Sequence, residues 1–133
     1  MATYIATART NYFRVKDEVA FLAWADKFHL RVASGEGGFA LFPSDESDAP
    51  GFYLQPEDEN TDWCPLDIAD EIAKHLTADS IAIIVETGHE KSRYVVGWAE
   101  AVNHEGEKVR ICLDSITELA FQKFGIRPTE PSY

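Results

Sequence analysis

The sequence predicts an α+β domain, a mainly antiparallel sheet with three helices in the order β-α-β-β-(β)-α-β-β-β-α. Three observations lead there. Residues 80–113 contain three apolar or alternating segments joined by short polar turns, the pattern of an antiparallel meander. Phe21, Trp24, Ala25 and Phe28 fall at i, i+3, i+4 and i+7, one face of a helix. Ile68, Ile72 and Leu76, with Ala69 and Ala73, repeat that stripe later in the chain. With 133 residues, 45% hydrophobic and 26% charged, the chain has enough apolar material for one core. We expect a single domain over 1–126 and a loose tail at 127–133.

In order, residues 3–16 read as a strand with Phe13 and Val15 on one face. Asp17 is placed to cap a helix over 18–28. Leu30 and Val32 belong to a short strand over 29–32. The glycines of 34–38 (SGEGG) make a turn. Residues 39–42 return as the second strand of a hairpin, and Pro43 ends it. Phe52-Tyr53-Leu54 suits a further short strand. Pro65 fits the first turn of a second helix, because its missing N–H is not needed there. Asp67, Asp70 and Glu71 then lie near that helix's positive end, Lys74 and His75 near its negative end. Strands follow at 80–86, 93–102 and 108–113, with turns at 88–91 and 103–107. Ser115 and Glu118 have capping-box spacing for the last helix, which Gly125 ends. Asp17-(x4)-Leu22-Ala23-Trp24 is echoed by Asp114-(x4)-Leu119-Ala120-Phe121, spacing that two unrelated amphipathic helices also share.

Charge is distributed unevenly. Ten carboxylates and no Lys or Arg lie within 45–71. Over 36–79 there are twelve acids and one base, Lys74, so 12 − 1 = 11 excess negative charges. The whole chain has 23 acids and 12 bases, also net −11, so the remainder is balanced. This opposes direct binding to nucleic acid or an anionic membrane and favours a basic protein partner. The predicted contacts are Asp45, Glu46, Asp48, Glu57, Asp58, Glu59 and Asp62, with Trp63 as an aromatic anchor.

The sequence carries little recognisable chemistry, and none of its residues has the setting of a catalytic, cofactor-binding or metal-binding group. Asp58, Asn60 and Asp62 have the first spacings of a calcium loop, but Trp63 stands where Gly is needed and Ala69 where Glu is needed. His29, His75, His89 and His104 are scattered and read as surface or turn residues. Cys64 and Cys112 follow no redox or zinc spacing and read as reduced thiols of a cytoplasmic protein. Gly35-Glu36-Gly37-Gly38 contains an acid and lacks a P-loop lysine. Glu86, His89 and Glu90 form an acid–base cluster at an expected hairpin tip, where salt-bridged turn residues are the plainer account. The N-terminus has neither the basic start nor the apolar run of a signal peptide, and no apolar run approaches membrane-spanning length.

The segments TNYFRVKD at 10–17 and IVETGHEKSRYVVGWAEAVNHEGEKVRICLDSI at 84–116 resemble small acidic proteins of phages, plasmids and mobile elements. Among such proteins, the anti-CRISPR and anti-restriction inhibitors block host nucleases by occupying nucleic-acid sites. The resemblance implies that setting and transfers no functional residue.

Three functions therefore stay open. The first is a non-enzymatic acidic protein that engages a basic surface, including inhibition of a nucleic-acid-binding defence complex by mimicry. The second is an assembly protein forming a homo-oligomer through the sheet face of Tyr94, Val96 and Trp98. The third is a small enzyme using Glu86, His89 and Glu90.

Overall fold

A computed structural model describes residues 4–44, 51–54, 66–90 and 94–129. These contain six strands and three helices in an α+β arrangement. The helices are α1 (Glu18–Lys27), α2 (Ile68–Ala73) and α3 (Ser115–Phe124). Strands β1 (Tyr4–Thr10), β4 (Ala82–Glu90), β5 (Tyr94–Val102) and β6 (Lys108–Cys112) form one antiparallel sheet in the order β1-β4-β5-β6. Strands β2 (Arg31–Gly35) and β3 (Gly38–Phe42) form a separate hairpin.

The expected strand over 3–16 stops at Thr10. Beyond it, successive residues bond to different neighbours. Asn11 continues toward β4, its backbone N–H donating to Ile83 O (3.0 Å) and its side-chain oxygen accepting from Ile83 N (2.8 Å). Phe13 bridges to Phe39 and Val15 to Leu76. The alternation of Phe13 and Val15 was thus an inward-facing pattern without one continuous ladder. Thr10 joins the two sheets. It is 1% exposed, its hydroxyl accepts from Leu41 N at 2.8 Å, and it donates to Asn11 O at the same distance.

Helix α1 starts as its sequence indicates, with the Asp17 carboxylate accepting from Ala20 N at 3.1 Å. Phe21 and Ala25 are buried, and Trp24 and Phe28 pack on the same core. The β2–β3 turn puts positive φ on Glu36 (49°) and Gly37 (77°), the two-residue reversal that matches strand twist. Gly38 serves close approach instead, since a Cβ there would lie 2.5 Å from Phe13 O.

Helix α2 has six residues, with Asp67 accepting from Ala69 N at 2.8 Å. All five residues of its expected stripe are buried in the core with Phe13, Phe21, Leu41, Leu54 and Ile84. Strand β4 runs through Gly88 to Glu90, so the turn expected at 88–91 does not begin at Gly88. The expected capping box at Ser115 is also absent. Asp114 is the N-cap without a side-chain bond, Ser115 Oγ accepts from Cys112 N (3.1 Å), and Glu118 pairs with Arg127 (3.0 Å). Gly125 closes α3 at φ 72°, donating to Phe121 O at 2.8 Å.

The core lies on one side of the large sheet. Ala82, Ile84 and Val102 face it and are fully buried. Their neighbours Ile81, Ile83, Val85 and Val95 face the other way and are exposed. None of the residues of α3 is buried. No helix among the described residues is long and apolar enough to cross a membrane.

Candidate partner-binding surface

The acidic third is fastened to the fold at points the core dictates. Leu54 is 1% exposed, and its carbonyl accepts from Leu66 N at 2.8 Å. That bond joins the residues flanking 55–65. Gly51 is buried with φ 72°, and a Cβ there would collide with the Glu86 carboxylate. Glu86 in turn accepts from Trp98 Nε1 (3.3 Å), and the Arg110 guanidinium lies 4.4 Å from the Trp98 ring centre.

The three described acids of the stretch are engaged within the fold. Lys108 Nζ donates to Asp67 (3.2 Å) and Asp70 (2.9 Å), linking β6 to α2. These bonds hold the Lys108 ammonium above its ordinary value, the bond to Asp70 being the larger cause. Glu71 pairs with Lys74 at 3.2 Å. The predicted partner contacts, Asp45, Glu46, Asp48, Glu57, Asp58, Glu59, Asp62 and Trp63, lie outside the described residues, as do the calcium-like Asp58–Asn60–Asp62 spacing and Cys64. Cys112 is an exposed free thiol.

The other candidate groups are redistributed. Glu86, His89 and Glu90 are all strand residues; His89 and Glu90 end β4 beside 91–93, and Glu86 lies further back, paired with Trp98. Alternation along β4 puts Glu86 and Glu90 on one face and His89 on the other. His89 opposes Ile5 and Val95 across the ladders, whereas Glu86 opposes Trp98. The three do not converge. Among the described residues, no group of three or more His, Cys, Asp or Glu could hold a metal ion.

Trp98 packs against the core cluster, so the sheet face proposed for self-association is occupied at its largest residue. Among the described residues, the face left open is the opposite one. His75 is likewise no simple surface residue. Its ring lies 5.6 Å from Phe21 and 5.1 Å from Trp24, and burial holds its pKa below the ordinary 6.5. No protein-family model, curated protein or solved structure matches the chain.

Proposed function

We propose that the protein is a non-catalytic binding protein of the cytoplasm that engages a basic surface on a partner protein. The observation that carries this is where the negative charge remains. Within 45–71, the helix acids Asp67, Asp70 and Glu71 each pair with a lysine of the fold. The other seven carboxylates, at 45–62, have no Lys or Arg among their sequence neighbours. They belong to segments whose flanking residues are pinned by Leu54–Leu66 and Gly51–Glu86. A concentration of one sign at one part of a domain steers an oppositely charged partner and raises its association rate.

Nucleic-acid mimicry is one form of this reading. Duplex DNA carries about one charge per 1.7 Å, so seven carboxylates correspond to roughly 12 Å of duplex. Segments 10–17 and 84–116 resemble small acidic proteins of phages, plasmids and mobile elements, some of which are such inhibitors, so a nucleic-acid-binding defence complex is the partner to test first, and the mimicry itself rests on the charge. The test is affinity capture from the native host, followed by titration of the purified captured protein over a range of salt. Association should slow steeply as salt rises, and replacing the seven acids by Asn and Gln should abolish capture. Affinity that is equal at low and high salt rejects this function.

A further inference from the structure

Toward its β6 edge, the side of the large sheet turned away from the core is apolar, whereas Thr7, Arg9, Thr87 and His89 make its β1 side polar. Register aligns its residues in rows. Ile83, Ala101 and Val109 form one row, and Val85, Ala99 and Ile111 the next. Leu113 lies over Gly97, where a Cβ would meet Leu113 Cγ at 3.1 Å. Val109 is 68% exposed, Ile111 61% and Leu113 51%. Strand β6 leads directly into α3, which exposes Ile116, Leu119, Phe124 and, just beyond its end, Ile126. At 100° per residue, Ile116, Leu119, Ala120, Phe121 and Phe124 span an arc of about 200°, far wider than a solvated helix needs. Strands β4 and β5 carry apolar residues on both faces, the pattern of a sheet covered on both sides, and the described residues cover one of them.

We propose that this sheet face and α3 together form the interface of a homodimer. Two observations select a second copy as occupant. The first is area. Eleven large apolar side chains from β4, β5, β6 and the α3 region are each between 37% and 74% exposed. At roughly 100 Å² per fully exposed side chain they amount to about 600 Å². A standard interface buries about 800 Å² per partner, somewhat over half of it apolar, so the face supplies what a stable dimer requires.

The second is charge. Residues 94–129 hold four bases (Lys108, Arg110, Lys123, Arg127) and five acids (Glu100, Glu105, Glu107, Asp114, Glu118), so 4 − 5 = −1. The remainder of the chain therefore carries −11 − (−1) = −10. Two strongly anionic copies repel least through this nearly neutral region. Lys108 and Arg110 lie on the other side of β6, against Asp67, Asp70 and Trp98, and Arg9 meets the apolar rows only at their β1 end, opposite Val85.

A two-fold pairing satisfies the face with an identical surface and closes the assembly at two chains. This proposal stands apart from the acidic function.

Sedimentation equilibrium of the full chain tests it. The expected mass is twice 14.9 kDa, unchanged at high salt and in the variant lacking the seven acids. Ile111→Asp and Leu119→Asp each alter an exposed side chain and should weaken the dimer at least tenfold with an unchanged circular dichroism spectrum. Amide exchange of residues 115–124 in the wild type should slow as protein concentration rises, a readout that needs no variant. A wild-type monomer at every concentration overturns the proposal, as does an open-ended polymer. A dimer that both variants preserve, or α3 exchange independent of concentration, overturns it equally.

Discussion

Gly51 rests against the Glu86 carboxylate with no room for a side chain between them. The contact fixes the described segment 51–54 to β4. Gly51→Ala meets both a left-handed φ of 72° and the Glu86 side chain. We expect a loss of about 2 kcal/mol or more by urea denaturation. Adding Glu86→Ala should recover the steric part alone, giving a coupling that a double-mutant cycle measures.

Glu36 occupies a left-handed conformation at φ 49° in the β2–β3 turn. Asparagine tolerates that region better, and Asn-Gly is the favoured pair for such a reversal. Glu36→Asn should therefore stabilise the protein by about 0.5–1 kcal/mol. A fall in the thermal midpoint would contradict this account of the turn.

His75 confers an acid sensitivity. Burial among Phe21 and Trp24 is the main cause of its lowered pKa, with Lys16 and Lys74 acting in the same sense and Glu71 and Asp17 opposing. The unfolded chain then binds a proton near pH 6.5 that the folded chain resists, so stability falls as pH drops below that value and levels off below the folded pKa. His75→Gln should flatten this part of the stability–pH curve. An unchanged curve would locate the dependence elsewhere.

Lys108 ties β6 to the start of α2 through two exposed carboxylates. Its raised pKa means that the contribution is complete at neutral pH and is lost only as alkaline pH passes beyond the ordinary lysine value of 10.5. Exposed pairs are weak, so Lys108→Met should cost less than about 1 kcal/mol, and less still in high salt. A cost of several kcal/mol would show that the bridge is better shielded than its exposure indicates.

Sequence patterning located what short-range rules govern. Asp17 caps α1, Gly125 ends α3, and the α2 stripe is buried because each depends on residues within one or two turns. The strand expected over 3–16 ends at Thr10 because Phe13 then bridges to Phe39 and Val15 to Leu76, partners that no local window contains. Ser115 was drawn from the capping box by Cys112 N, a competing donor three residues away. The environment of His75 depends on how α1 meets α2. The free sheet face was partly legible, because 80–86 is apolar at nearly every position. What was missing was which side the core would take, and Trp98 was assigned to the wrong one. The predicted partner contacts at 45–63 lie outside the described residues.

The pairing of β1 with β4 also has a consequence in time. Its partners range from Thr10 with Ile84 to Tyr4 with Glu90, separations of 84 − 10 = 74 and 90 − 4 = 86 residues. Closing a loop of that size costs about 4 kcal/mol in chain entropy before any contact rewards it. The β4–β5–β6 meander needs only short closures, so it can form first and accept β1 afterwards. During synthesis, β1 must wait for about eighty further residues before its partner exists. For that interval its backbone edge is open to any other strand it meets, and abundant negative charge in the chain emerging behind it helps keep nascent copies apart.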